Sequence, residues 1–297
     1  MPKSLLSLAD LSVLDLKTIL DNALTVKSDP GHLGKPLADK SIGLLFEKPS
    51  TRTRVSFEVG IAQLGGHIVS LDSNKMQASR GEELADTAAV LGRYLDGIVC
   101  RTFAQENLEI LAKNSDITII NALSDQFHPC QVIADCLTMQ ELNENKRPHV
   151  TFMGDGSCNV VNSLIIASSM LEFPLTIAAP PEFSPAADIL KNHGQLVTVT
   201  DAIDQAVKEA DFLYTDVFTS MGFEDEAQDR QKLLMPYQVN QELLKKAPAG
   251  CQVLHCLPAH KGEEITAEVF DMHRESIFMQ AENRLHAQKA LMAFLFA

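Results

Sequence analysis

Short apolar runs alternate with amphipathic segments along the whole chain. The runs are rich in aliphatic and β-branched side chains, and the segments between them repeat with the period of a helix. The predicted strands are 41–46, 67–71, 97–101 and 117–121 in the first half, and 149–153, 175–178, 196–200, 212–215 and 252–255 in the second. Strands that alternate with helices predict an α/β fold built on mostly parallel sheets.

The chain is long enough for two domains, each with its own core. It has 297 residues, and single domains commonly contain about 100–200. The polar stretch 143–148 follows a long amphipathic segment, 130–142, and ends in a proline that stops a helix. We therefore predict two consecutive α/β domains, each with a mostly parallel sheet flanked by helices, with the boundary after residue 142.

A polar string follows the first predicted strand directly. Residues 46–54 read FEKPSTRTR, and helical spacing resumes over 55–64. A helix that begins at Ser50 to Thr53 offers unpaired backbone N–H groups, which an oxyanion satisfies. Arg52 and Arg54 add planar, permanently charged donors that match phosphate oxygens. The string predicts a small-phosphate site; an exposed basic turn is the alternative that an isolated Ser-Thr-Arg would favour.

Other chemically capable side chains also follow predicted strands, where α/β sheets collect their ligands. The segments are Arg101, 128–131 (HPCQ), 154–159 (GDGSCN), 216–222 (DVFTSMG) and 255–258 (HCLP). Each also has a simpler explanation. His128 could be a hydrogen-bonded structural histidine. Gly154 and Gly156 begin a dinucleotide fingerprint whose third glycine is replaced by Asn159, and His255 and Cys256, as strand neighbours, point to opposite faces and do not pair as base and nucleophile.

Charge and composition exclude several classes of protein. The formal net charge is −14, from 39 acidic and 25 basic side chains, which argues against a broad nucleic-acid-binding face. No window approaches the roughly 20 apolar residues of a membrane span. Asp10 and Asp15 interrupt the apolar run that a secretory signal needs. We therefore expect a cytoplasmic protein with neither nucleic-acid nor membrane partners.

The six cysteines show no Cys-x-x-Cys spacing. They lie mostly beside apolar residues, which favours reduced, partly buried thiols over a disulfide framework. Zinc is disfavoured for the same reason. The chain also lacks the G-x-x-x-x-G-K-[ST] loop of ATP-driven phosphotransferases.

Residues 46–54 resemble the carbamoyl-phosphate signature of the aspartate and ornithine carbamoyltransferase family, and Lys48 before the proline is similar to the ornithine branch. The remaining segments resemble the family in the same order over nearly the whole chain. The resemblance implies that the reaction needs no cofactor and no metal. It also implies that a C-terminal helix, about 282–297, packs back on the first domain, which would end the second domain at 281.

The resemblance assigns carbamoyl-phosphate contacts residue by residue. The implied set comprises Ser50, Thr51, Arg52, Thr53, Gln77, Arg101, His128, Gln131, Cys256, Leu257 and Arg284. Arg101 and His128 match the pair that holds the carbamoyl oxygen, and Gln131 matches a contact to the carbamoyl nitrogen. Gln77 is similar to a residue that relatives lend to a neighbouring subunit, which implies a homo-oligomer, either a trimer or a multiple of trimers. Arg101, His128 and Cys256 are the implied catalytic residues.

The second half determines the amine acceptor. The spacing D-x-x-x-S-M-G at 216–222 is similar to the amino-acid loop of the ornithine branch. Asp216 can pair with an α-ammonium, while Ser220, the Met221 backbone N–H and Asn159 can donate to an α-carboxylate. Some relatives carry a second asparagine where Ser157 and Cys158 stand here. The resemblance implies that Cys256 lies near the attacking amine.

The resemblance implies carbamoyl transfer from carbamoyl phosphate to the side-chain amine of L-ornithine, giving L-citrulline and phosphate. Such a reaction serves arginine biosynthesis or, run backwards, arginine breakdown, and a stand-alone chain of this kind is more often biosynthetic. The nearest competing prediction is a relative that acts on putrescine, aspartate or an acylated ornithine. Asp216 and 220–222 argue against a simple amine, because it would leave their polar groups unpaired. Two more distant possibilities are a non-catalytic homologue that binds carbamoyl phosphate and a nucleotide-dependent oxidoreductase.

Overall fold

The computed structural model describes residues 4–72, 81–143, 147–219 and 227–297. Three predicted site residues, Gln77, Ser220 and Met221, lie outside the described residues. The chain divides into two compact units: unit 1 comprises Met1–Leu137 and Glu282–Ala297, and unit 2 comprises Thr138–Ala281. This division falls inside a helix, Pro129–Leu142, whose end is the boundary predicted from the sequence.

Unit 1 contains a parallel four-stranded sheet. Its strands are β1 (Ser41–Phe46), β2 (His67–Leu71), β3 (Gly97–Arg101) and β4 (Thr118–Leu123), in the order β2-β1-β3-β4. The helices are α1 (Val13–Ser28), α2 (Thr51–Gln63), α3 (Leu84–Leu91), α4 (Gln105–Lys113) and α5 (Pro129–Leu142). Strands β1, β3 and β4 are almost wholly buried, as parallel strands covered by helices should be. The edge strand β2 is exposed.

Unit 2 contains a parallel five-stranded sheet. Its strands are β5 (Val150–Met153), β6 (Leu175–Ala178), β7 (Val197–Thr200), β8 (Phe212–Thr215) and β9 (Gln252–His255), in the order β7-β6-β5-β8-β9. The helices are α6 (Asn159–Leu171), α7 (Ala187–His193), α8 (Ile203–Ala206), α9 (Ala227–Leu234), α10 (Gln241–Leu244) and α11 (Ala267–Met272). The α/β prediction with two parallel sheets is confirmed.

The last helix, α12 (Arg274–Leu295), returns to unit 1 from Glu282 onward. Lys27 on α1 donates to the Asn283 side chain at 3.0 Å. Gly60 on α2 permits close packing, since a Cβ there would lie 3.1 Å from Met292. The expected packing of the C-terminal helix on the first domain is thus confirmed, and the helix begins earlier than predicted. Among the helices in the described ranges, none combines the length and apolar character needed to cross a bilayer.

Each sheet reverses its strand order at one place. The reversal lies between β1 and β3 in unit 1 and between β5 and β8 in unit 2. At such a switch point the connections leave in opposite directions and open a crevice beyond the carboxyl ends of the strands. The phosphate-type string follows β1, Arg101 ends β3, Gly154 follows β5 and Asp216 follows β8. The topology therefore places these four features at the two switch points.

Candidate active-site residues

The string after β1 forms a capped helix start. Ser50 has an extended backbone, and its hydroxyl accepts the Thr53 N–H at 3.4 Å, which makes it the N-cap of α2. Thr51 and Arg52 are exposed in the first turn, whereas Thr53 is buried. The helix start thus presents backbone N–H groups and one exposed guanidinium together, an arrangement that suits a small anion.

The two arginines of the string have different surroundings. Arg54 donates from Nη1 to the Ser70 hydroxyl at 3.2 Å, lies 3.6 Å from Glu58, and stacks over the Phe46 ring at 4.8 Å. These contacts direct Arg54 toward β2. Both arginines were predicted to contact phosphate. Arg52 is the better candidate of the two, because it lies exposed at the helix start.

A buried network joins the helix start to α5 and α12. Arg284 donates from Nη1 to Gln131 Oε1 at 2.6 Å and from Nη2 to Thr53 Oγ1 at 3.3 Å. Gln131 in turn donates from Nε2 to Asp135 Oδ1 at 2.8 Å. All four side chains are at most 4% exposed. The structure therefore brings together three of the residues implied for carbamoyl phosphate and adds Asp135, which was not predicted from the sequence.

His128 and Arg101 are buried in the same unit. The strand register shifts between Cys100 and Arg101, an irregularity of the kind that redirects a side chain at the end of a strand. Burial holds the pKa of His128 well below its usual 6.5, and the positive charges of Arg284 and Arg101 lower that pKa further. The imidazole is therefore neutral at pH 7 and retains one N–H that can donate to an oxygen.

Unit 2 pairs a thiol with a carboxylate at its own switch point. Cys256 donates from Sγ to Asp216 Oδ1 at 2.8 Å, and the Val217 N–H donates to the same oxygen at 2.8 Å. Burial raises the pKa of Asp216, and Glu264 raises it further. His255 and the two hydrogen bonds oppose this rise in the pKa. Asp216 is thus a half-buried acid whose charged form would gain from a cationic ligand.

His255 forms a separate, fully buried pair. Its Nδ1 accepts the Leu257 N–H at 2.9 Å, so the ring proton of the neutral form lies on Nε2 and points to Glu264 Oε1 at 2.9 Å. Glu264 also accepts the His260 N–H at 2.6 Å. His255 and Cys256 therefore have different partners and do not pair as base and nucleophile, as predicted, although Cys256 lies just beyond the end of β9. The pair fixes the turn that carries Cys256 and Leu257.

The two glycines after β5 are explained by packing. A Cβ on Gly156 would lie 2.6 Å from the Phe183 carbonyl oxygen, and Gly154 has φ +122° with the Phe218 ring 3.3 Å from its Cβ position. Between them, Asp155 forms a buried ion pair with Arg230. Arg230 also donates to the Phe218 carbonyl oxygen at 3.0 Å. The Gly-Asp-Gly string thus anchors the segment after β8, and its resemblance to a dinucleotide fingerprint is accounted for by packing.

Asn159 is the first residue of α6, the helix that follows β5, and it is half-buried. Two groups in the described part of the chain have ligand atoms within 4.8 Å of one another: Asp216 with His255 and Cys256, and His260 with Glu263 and Glu264. In the first group both His255 ring nitrogens already have protein partners. We therefore describe this group as a hydrogen-bonded cluster.

Three partners of the site residues, Asp135, Glu264 and Arg230, were not predicted from the sequence. Asp135 had a detectable signal, because it stands four residues after Gln131 on a helix, a spacing that places two side chains on one face. Glu264 and Arg230 had no such signal in the sequence. Glu264 reaches His255 from a loop and Arg230 reaches Asp155 from α9, and no local pattern predicts either long-range contact.

Comparison with known proteins defines the class. The family model described as the aspartate/ornithine carbamoyltransferase carbamoyl-P binding domain matches residues 3–141, and the Asp/Orn binding domain model matches 146–295. The chain belongs to the aspartate/ornithine carbamoyltransferase family, and the resemblance proposed from residues 46–54 is confirmed.

Similar proteins are named ornithine carbamoyltransferase. One from Oceanobacillus iheyensis is 45% identical over 99% of this chain and 94% of its own length, and one from Synechococcus elongatus is 47% identical over 99% and 97%. The ornithine carbamoyltransferase structure from Pyrococcus furiosus has a TM-score of 0.92 at 42% identity, covering 99% of this chain and 96% of that one. The anabolic enzyme from Campylobacter jejuni also has a TM-score of 0.92, at 36% identity, covering 99% and 98%.

Proposed function

We propose that this protein is an ornithine carbamoyltransferase, which transfers the carbamoyl group of carbamoyl phosphate to the side-chain amine of L-ornithine. The observation that carries the proposal is the buried Arg284–Gln131–Thr53 network at the start of α2. It supplies a fixed charge and oriented hydrogen-bonding groups beside a helix N-terminus, as an anionic acyl donor requires. The names of the similar proteins support ornithine as the acceptor.

Unit 1 would bind the acyl donor. The start of α2, with Ser50, Thr51, Arg52 and Thr53, receives the phosphate, and Arg284 stabilises it through its charge. Arg101 and neutral His128 donate to the carbamoyl oxygen. Negative charge grows on that oxygen during attack, and the loss of one such donor commonly costs about 10²- to 10³-fold in rate. Gln131 offers its carbonyl oxygen to the carbamoyl N–H₂.

Unit 2 would bind the acceptor. Asp216 receives the α-ammonium, while Asn159, Ser220 and Met221 receive the α-carboxylate. Cys256 and Leu257 lie on the turn that His255 and Glu264 fix, and they position the attacking amine. The thiol donates to Asp216, so its role is to orient, and no covalent intermediate is needed.

The amine must lose a proton before it attacks. An alkyl ammonium similar to that of lysine has a pKa near 10.4, so deprotonation at pH 7 costs about 3.4 units, or about 4.6 kcal/mol. The departing phosphate is the base that this reaction itself generates. We infer that the site binds the amine in its neutral form. Once the C–N bond has formed, the nitrogen releases a second proton to the phosphate, which leaves with the electron pair of the broken C–O bond, so the transfer requires neither cofactor nor metal.

The cellular setting is part of the same proposal. The Campylobacter jejuni relative is described as anabolic, which supports a role in arginine biosynthesis, and we place the protein in the cytoplasm. Gln77 is proposed to reach the site of a neighbouring subunit, so the active form is a homotrimer or a multiple of trimers.

The test is a substrate panel. Citrulline or its analogue would be measured with carbamoyl phosphate and each of L-ornithine, N-acetylornithine, putrescine and L-aspartate. We expect kcat/KM for ornithine to exceed that for each other amine by at least about 10²-fold, because a site built for polar groups rejects ligands that leave them unpaired. Preference for another amine would overturn the assignment of Asp216, and binding of carbamoyl phosphate without turnover would identify a non-catalytic homologue.

A further inference from the structure

The buried amide of Gln131 lies between two groups of opposite charge. Its oxygen accepts from the Arg284 guanidinium at 2.6 Å, and its nitrogen donates to the Asp135 carboxylate at 2.8 Å. Gln131 is 2% exposed, Asp135 is 0% and Arg284 is 4%. Water therefore cannot easily replace either partner.

Only one orientation of this amide satisfies both neighbours. A half-turn about the last side-chain bond would place the amide oxygen against the carboxylate and the N–H₂ group against the guanidinium. Both contacts would then be repulsive and buried, where unpaired polar groups are most unfavourable. Asp135 and Arg284 together fix which end of Gln131 is the oxygen.

The position of the two partners decides where that oxygen points. Gln131 lies in the first turn of α5, and Asp135 lies one turn further along the helix. Arg284 also contacts Thr53 in the first turn of α2. The oxygen end therefore lies on the side of the proposed phosphate site, and the N–H₂ end points to Asp135, one turn further along α5. A carbonyl oxygen accepts two hydrogen bonds, so one remains for a ligand N–H beside that from Arg284.

We propose that Asp135 is a positioning residue that makes the site selective for an acyl donor bearing N–H₂ rather than CH₃. It acts through Gln131, whose oxygen it holds toward the ligand as an acceptor. The inference rests on the proposed function, because it takes the bound donor to be carbamoyl phosphate. It adds a determinant of donor specificity that touches no substrate itself.

The test compares two stable phosphonates of nearly equal shape. Phosphonoacetamide carries N–H₂ on its carbonyl carbon, and 2-oxopropylphosphonate carries CH₃ at the same place. Dissociation constants for both would be measured by calorimetry with the full-length protein, without ornithine. We expect the wild-type protein to bind the amide about tenfold more tightly, the effect of one well-placed hydrogen bond.

The variants separate positioning from a general structural effect. Asp135→Asn keeps an acceptor without its charge and is expected to lower the preference for the amide to about threefold. Asp135→Leu removes the acceptor and is expected to abolish the preference. Gln131→Leu should also abolish the preference. Asp96→Asn is the matched control, since Asp96 accepts the Ser41 N–H at 2.8 Å elsewhere in unit 1, and should keep the tenfold preference. If Asp135→Leu does not fold, Asp135→Asn decides.

Each result has a defined meaning. A purely structural Asp135 would weaken both ligands equally, so an unchanged ratio in its variants would overturn the inference while leaving the phosphate site intact. Equal wild-type affinity for the two phosphonates would overturn it as well. If the wild-type protein bound neither phosphonate, the proposed function would fail and this inference with it.

Discussion

The two units present opposite charge at their switch points. Unit 1 gathers buried cationic groups, with Arg284 and Arg101 around a neutral His128, whereas unit 2 has the half-buried Asp216 and the buried Glu264. A doubly charged phosphate suits the first and an ammonium suits the second. The contrast indicates that each unit selects its own substrate, although the chain as a whole carries a net charge of −14.

The two units also hold their charges differently. Arg284 in unit 1 is fixed by Gln131 and Thr53, so its charge is already oriented before a ligand arrives. In unit 2 the pKa of Asp216 is raised because its charged form is poorly solvated. A cationic ligand would relieve that penalty. Unit 1 is therefore arranged to receive an anion, and in unit 2 a cationic ligand would favour the charged form of Asp216.

The largest expected effect comes from removing the exposed guanidinium of unit 1. Arg52→Gln should lower kcat/KM by about 10³-fold, because a charged phosphate contact is lost. The thermal midpoint should change by less than about 2 °C, since Arg52 is exposed. Activity assays and thermal unfolding measure the two effects, with Arg93→Gln as control. A large fall in the midpoint would make Arg52 a structural residue.

A smaller, unit-specific effect is expected from Asp216→Asn. The KM for ornithine should rise by about 10²-fold, because the α-ammonium loses a charged partner, while the dissociation constant of phosphonoacetamide stays within about twofold. Steady-state kinetics and calorimetry supply the two numbers. Equal loss on both substrates would show that the units do not select independently and would break the comparison.

Most of the strands in both units were predicted from the sequence. The apolar runs located β1, β2, β3, β6, β8 and β9 within their observed bounds, because a parallel strand buried by helices must be almost continuously apolar. Edge strand β2 was predicted although its side chains are exposed, because its aliphatic residues still match the composition of a strand. Strand β4 runs two residues further than predicted, to Leu123, because a polar Asn121 is buried within it.

The partners of the site residues could not be predicted in the same way. Ser50 was predictable as a cap because the cap depends on neighbours in sequence. Asp155–Arg230 and His255–Glu264 depend on how segments that are distant in sequence, α9 and the loop of Glu264, fold against the sheet, and no periodic pattern predicts such contacts. The surroundings of Arg54 were missed for a related reason, since Ser70 belongs to a different strand.

The smallest predicted effect concerns stability against pH and sharpens the contrast further. The folded pKa of His128 lies well below the ordinary 6.5, so below pH 6.5 the unfolded chain takes up a proton that the folded protein refuses. The free energy of unfolding should therefore fall as the pH drops from 6.5 toward the folded pKa, by up to about 1.4 kcal/mol per pH unit. Asp216 acts in the opposite direction, because its folded pKa is raised above the ordinary 3.8. Its contribution to the free energy of unfolding therefore declines as the pH rises from 3.8 to the folded pKa.

Denaturant unfolding of the wild-type protein and of His128→Gln, at pH 7 and pH 5.5, isolates the first contribution. Glutamine does not titrate, so the variant should lose less stability between these pH values than the wild-type protein does. His273 and His286 also have lowered pKa values, but they are present in both proteins and cancel in the difference. An identical pH dependence in the two proteins would mean that His128 titrates normally. The imidazole that unit 1 is proposed to offer the carbamoyl oxygen would then be protonated over part of this range. Burial and the neighbouring arginines would not keep it neutral, and unit 1 would carry one more positive charge than the comparison of the two units assumes.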